Sequence, residues 1–144
     1  MENYKFNFDD FRVKFAECFL LTEKSQPSNN MLIWLVGLAD IAAEFKIENN
    51  TYGKEPQFVI RELIFSIKKP TKEKKVLIQI EEMLGVGTIN RIGRYSEYIV
   101  VGTHDYLEEM ILIINLFKDN LKSPTKQKQF NKLKKLFDKI NYID

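Results

Sequence analysis

The side chains able to do chemistry in this sequence are chiefly cations. Lys46, Lys68, Lys69, Lys72, Lys74 and Lys75, the arginines Arg91 and Arg94, and Lys126, Lys128, Lys132 and Lys135 are candidates for contact with phosphates or base edges. Tyr95 and Tyr98 sit among the arginines, where they can stack on unpaired bases or simply fill a strand. A formal net charge of +2 hides an uneven placement. Residues 1–64 carry 7 lysines and arginines against 10 carboxylates, and residues 65–144 carry 15 against 10. From Lys118 onward, 8 lysines stand against 3 acids. Basic residues gathered in one half are a footprint expected of a nucleic-acid binder, though lysine-rich solvated helices give the same count. One cysteine, Cys18, and one histidine, His104, cannot make a zinc site of the usual kind. The lone cysteine permits no internal disulfide and suits a reducing compartment.

Among the carboxylates, Asp40 has the most unusual setting. It is the single ionisable residue inside Met31–Phe45, MLIWLVGLADIAAEF, apart from Glu44 at its end. Leu32, Leu35, Val36, Ala39, Ala42 and Ala43 recur there at helical spacing, and Ile33, Trp34, Gly37, Leu38 and Ile41 occupy the other side. A helix apolar all round is normally buried on all sides, so this stretch is expected at the centre of the fold. Asn29 or Asn30 can cap its start. After Phe45 the apolar period changes from helical to two.

The elements around these residues follow from periodicity. Tyr4–Leu21 places Phe8, Phe11, Phe15 and Phe19 on a helical stripe, with Asn7 or Asp9 as cap, and reads as a helix on the domain surface or one that docks on a partner. Residues 22–30 form a linker containing Pro27. Glu44–Asn50 alternates as a half-buried strand, with Phe45 and Ile47 on one side and Glu44, Lys46 and Glu48 on the other. After a turn at Tyr52-Gly53, Gln57–Lys69 gives a second strand closed by Pro70. Thr71–Leu84 is a helix capped by Thr71 and ended by Gly85. Val86–Ile92 and Tyr95–Val101 are strands joined at Gly93-Arg94. A helix capped by Asp105 runs to Phe117 with Tyr106 and Met110 inward, and Ser123-Pro124 starts a last helix over Thr125–Asn141.

The central stretch resembles the LAGLIDADG motif of homing endonucleases, with Trp34, Leu35, Gly37, Leu38, Asp40 and Phe45 in register. FSIKKPTKEKKVLIQIEEMLGVGTI and LKSPTKQKQF resemble later family segments, so the likeness extends over about Met31–Ile140. It implies an α+β fold of order α-ββ-α-ββ-α-α, a four-stranded antiparallel saddle backed by helices. An extra helix and linker occupy residues 1–30, ahead of the domain at 31–144. Three consecutive positions depart from the family pattern. Ile41 stands in place of Ala or Gly, Ala42 in place of the acid that holds a divalent metal, and Ala43 in place of the Gly that ends the helix.

What the resemblance implies is therefore mixed. Family members cut DNA with metal ions such as Mg²⁺ held by oxygen ligands at the foot of each motif helix. A methyl group ligates nothing, so no metal, cofactor or catalytic residue is expected here. Asp40 and Glu44 are only weak stand-ins, because Asp40 lies about 200° around the helix from position 42. One motif per chain normally means two chains packed across a two-fold axis. Gly37 permits the close approach, but Ile41 obstructs it and disfavours that homodimer. Ala43 would cost roughly 1 kcal/mol if the backbone kept the left-handed conformation of Gly. The expected function is a non-cleaving nucleic-acid-binding protein, RNA favoured over DNA, serving a ribosome or an intron as an architectural factor. An active DNA endonuclease and a protein-interaction subunit of a large assembly are the alternatives, and a large ribonucleoprotein is a further candidate partner. The resemblance implies a mitochondrial or plastid setting. The sequence shows no secretory signal and no run of roughly 18 apolar residues to span a membrane.

Overall fold

The computed structural model describes residues 8–19, 26–51 and 59–142. Two hairpins carry the alternating segments: β1 (Ala43–Thr51) with β2 (Val59–Pro70), and β3 (Thr88–Ile92) with β4 (Tyr95–Gly102). They merge into one antiparallel sheet of order β1-β2-β4-β3. Five helices are found among the described residues: α1 (Asp9–Phe19), α2 (Asn29–Ala42), α3 (Lys74–Leu84), α4 (Glu108–Phe117) and α5 (Pro124–Tyr142). Leaving α1 aside, the order is the expected α-ββ-α-ββ-α-α. The expectations for Tyr4, Asn7, Leu21, Tyr52, Gly53 and Gln57, and for the side chains of Phe19 and Val59, lie outside the described residues.

All five helices contribute to a single core with one face of the sheet. Phe45 is its hub, with ring centroids 5.3 Å from Phe65, 5.4 Å from Phe117 and 5.4 Å from Phe130. These rings tie β1 to β2, α4 and α5 through tilted and edge-on contacts, the geometries aromatic quadrupoles prefer. Phe8, Phe11 and Phe15 at α1 join the same core. The Arg12 guanidinium ties α1 to the start of α2 through Gln26 and Asn29.

Several local expectations are corrected. Ser28 caps α2, its Oγ accepting from Met31 N–H at 3.2 Å, because it occupies the extended position just before the helix. The helix is buried on one side only. Leu32, Leu35, Val36 and Ala39 face the core, whereas Met31, Ile33, Trp34 and Ile41 face solvent, Ile41 at 83% exposure. Strand β1 starts directly at Ala43, which is extended (φ −79°, ψ 154°), so the left-handed penalty does not arise. Gly85 does end α3 in the left-handed region, at φ 69°. Thr71 does not cap a helix. A short 3-10 turn intervenes, and the Thr71 Oγ1 lies 3.1 Å from the buried Ser96 Oγ instead. Asp105 and Tyr106 lie in a turn before α4, and Tyr106 is exposed. Ser123-Pro124 starts α5 as expected, with Lys126 N–H donating to Ser123 Oγ.

Tyr98 is not a surface ring. It is fully buried, and its hydroxyl donates to the Val86 carbonyl at 2.7 Å. Gly87 passes so close, at φ 88°, that a Cβ there would sit 2.8 Å from the ring. Burial, then the charges of Glu109 and Glu81, push the Tyr98 phenol well above the ordinary tyrosine range. A raised pKa here favours the neutral form. Ionisation of the unfolded chain above pH about 10 therefore draws the equilibrium towards unfolding, until pH passes the folded-state value. Tyr98→Phe is expected to flatten the alkaline fall in stability measured by urea unfolding. At neutral pH it should cost about 1 kcal/mol through the orphaned Val86 carbonyl.

Candidate nucleic-acid interface

The helix foot is where divalent-metal chemistry would sit, and its residues do not fit an ion. Ala42 has no donor atom and packs against the core. The Asp40 carboxylate is already engaged: its Oδ1 accepts from Lys122 N–H at 3.1 Å and Ser123 N–H at 2.8 Å. It thereby holds the loop that leads into α5. Glu44 stands on the face of the sheet away from the helices, and its carboxylate lies 3.6 Å from the Lys46 ammonium. Among the described residues, no three acids, histidines or cysteines converge on a point where a cation could sit.

The helix-free face of the sheet is a set of cross-strand rungs. Glu44 pairs with Ser66, Lys46 with Ile64, and Glu48 with Glu62 between β1 and β2. Across β4 the rungs continue from Ser66 to Ile99, Ile64 to Val101 and Lys68 to Glu97. Strand β3 adds Thr88 opposite Ile99 and Asn90 opposite Glu97. Ile64 and Ser66 lie on this face. Yet they are only 4% and 3% exposed, because the neighbouring strands on both sides shade the central one. The reachable groups are those towards the rim: Lys46, Glu44, Glu48, Lys68, Glu97 and Tyr95. The period-two run of Tyr95, Glu97, Ile99 and Val101 is the signal in the sequence that marks this face on β4.

The predicted cations are distributed over several places. Lys68, Lys72 and Arg94 gather at one corner. Lys68 lies 5.2 Å above the half-exposed Tyr95 ring, a cation–π contact. Thr71 N–H donates to the Arg94 carbonyl at 2.7 Å, which brings the turn after β2 against the β3–β4 turn. Lys74 and Lys75 are exposed on the first turn of α3. Strand parity turns Lys69 and Arg91 to the helix side, since both pair with the buried Ser96, so neither is placed to reach a ligand lying on the open face. Lys128, Lys132 and Lys135 lie on the outer flank of α5, beside the edge of β1. Lys126 sits about a third of a turn or more away from that row. Gln129, which no sequence pattern singles out, links α5 to the edge by accepting from Phe45 N–H at 3.4 Å.

Comparison with known proteins agrees with this fold. The family model for LAGLIDADG endonucleases matches residues 35–137. Among similar solved structures is the group I intron-encoded homing endonuclease I-CeuI complexed with DNA. It is 19% identical with a TM-score of 0.67, over 94% of this chain and 67% of that one. The meganuclease I-CpaMI bound to uncleaved DNA is 25% identical with a TM-score of 0.67, over 77% of this chain and 37% of that one. The homing endonuclease I-CvuI, in complex with uncleaved DNA in the presence of Mg, is 19% identical with a TM-score of 0.59, over 71% of this chain and 62% of that one. This chain thus spans less than two thirds of the length of the last two. Motif, strand order and a match running from the central helix into α5 coincide, and the chain belongs to the LAGLIDADG endonuclease family.

Proposed function

We propose that this protein binds a nucleic-acid duplex across the open face of its sheet and does not cut it. The observation that carries this reading is the state of the helix foot. One acid is spent on backbone amides and the expected ligand is a methyl group. Binding draws on other groups. Lys46 on the β1 side and the Lys68, Lys72 and Arg94 corner on the other form two cationic margins for phosphates. Glu44, Glu48 and Glu97 between them can accept from the exposed amino groups of cytosine or adenine. The preference for RNA rests on the retained fold signals, the retained lysines and the missing ligand. The DNA held by the similar structures makes duplex DNA the first choice and structured RNA the second. The exposed apolar stripe of α2 is where a second unit would pack, completing a saddle of two halves.

The test is filter binding of the full chain to a random-sequence DNA duplex and to a folded RNA across a salt series. Salt-dependent binding that weakens on Lys68→Glu with Arg94→Glu is expected, and salt-independent or absent binding would reject the reading. The rival reading is an active nuclease that recruits Glu44, whose favouring observation is its exposed place beside the helix foot. Nicking of supercoiled plasmid with Mg²⁺ or Mn²⁺, abolished by Glu44→Gln, would establish the rival.

A further inference from the structure

Four lysines of α5 share one narrow stripe. At 100° per residue, Lys128, Lys132, Lys135 and Lys139 fall within about 60° of arc and run about 16 Å along the helix. Among the described residues, none of the four makes an ion pair. Like charges three and four apart on a helix repel, and no described carboxylate lies within ion-pair distance of the four. Lys134, on the opposite flank, is by contrast paired with Asp138 at 2.7 Å.

Beside the stripe lies a hollow of about 330 Å³ between α5 and the β1 edge. Ile47 and Leu136 form its apolar floor, and Lys132, Lys135 and Lys139 stand around it. Ile47 is 39% exposed although its strand-mates Phe45 and Ala43 are buried. Apolar surface left open beneath unpaired cations is a combination that a phosphate backbone uses only in part. Phosphates meet the ammonium groups and leave the floor bare. The hollow offers no aromatic ring for base stacking, and its only polar groups are the lysine ammoniums. An acidic polypeptide with a bulky apolar residue uses both features. Its carboxylates meet the lysines, and its anchor covers Ile47, Leu136 and the lysine stems.

We propose that this hollow is a docking site for an acidic protein segment bearing a leucine, phenylalanine or tryptophan anchor, centred on the helix side of β1 and meeting the face assigned above to nucleic acid only where Lys132 borders Glu44 and Lys46. The occupant follows from charge complementarity over an apolar floor.

The test selects a random-peptide display library on the full chain and titrates enriched peptides by fluorescence anisotropy. Enriched sequences should combine Asp or Glu with one large apolar residue. Affinity should fall at least about tenfold for Ile47→Ser, for the pair Lys132→Glu with Lys135→Glu, and for peptides whose anchor is replaced by serine. The two lysines lie outside the core, so the charge-reversed chain retains its packing, and thermal melting of each variant confirms its fold. Enrichment without that composition, or peptide binding indifferent to these changes, overturns the proposal. A random DNA duplex that competes with the peptides, is lost on charge reversal and is indifferent to Ile47→Ser would assign the stripe to phosphates and overturn it as well.

Discussion

Phe45→Ala is expected to remove about 3–5 kcal/mol of stability, the largest loss expected of any single truncation in this chain. The ring is 4% exposed and lies within 5.4 Å, centroid to centroid, of Phe65, Phe117 and Phe130. Truncation forfeits its transfer free energy and leaves a cavity that four separate elements border. Because those elements are fixed by the sheet ladder and by helix packing, the cavity cannot close cheaply. The geometric preference of the aromatic rings adds about 0.5–1.5 kcal/mol for each pair broken. Against a total stability of about 5–15 kcal/mol for a domain of this size, the substitution approaches global unfolding. Urea unfolding should show a lower midpoint with an unchanged slope. Phe45→Leu, which fills most of the volume, should cost distinctly less. A loss under about 1 kcal/mol for the alanine variant would mean that the four rings do not form a common core.

The strands were legible because their period of two survives in the sequence, and their union in one antiparallel sheet was implied by the family resemblance, since two hairpins alone do not fix which strands meet. What was not legible is what depends on register and distance. Tyr98 alternates with Ser96 and Val100, but only the pairing Ile67↔Tyr98 shows that this phase faces the helices. The pairing of Lys69 and Arg91 with Ser96 likewise shows only through register that both belong to the helix side. The apolar circumference of α2 reads as full burial, yet the described elements cover one face only, so Trp34 and Ile41 are left in solvent. Ala43 was read against a family glycine, whereas here the helix passes straight into extended backbone that any residue adopts. The α5 lysines were found by composition. Their grouping into one unpaired stripe over an apolar hollow needed the helix docked on the β1 edge.

Asp40 carries the second large expectation, and its role was invisible in sequence because its partners lie 82 and 83 residues further on. Its Oδ1 satisfies two backbone amides at the entry to α5, the end of a helix where the dipole favours a negative charge. Asp40→Ala leaves both amides without that acceptor and is expected to cost about 2–3 kcal/mol, since hydrogen bonds to a charged group are worth more than neutral ones. Asp40→Asn keeps an oxygen in place but not the charge, and should cost about half as much. Ser123→Ala removes only the cap that receives Lys126 N–H and should cost about 1 kcal/mol. This ranking, read from thermal or urea unfolding, separates an anchoring carboxylate from a metal ligand. A ligand held ready for an ion sits in excess negative charge, so its neutralisation in the metal-free protein leaves stability unchanged or raises it. Loss of an anchor instead weakens the docking of α5, which carries Phe130 and the lysine stripe. If Asp40→Asn stabilises the metal-free chain while removing Mg²⁺ binding measured by calorimetry, Asp40 is a ligand after all. Such a result would reinstate the nuclease reading on a residue other than Glu44.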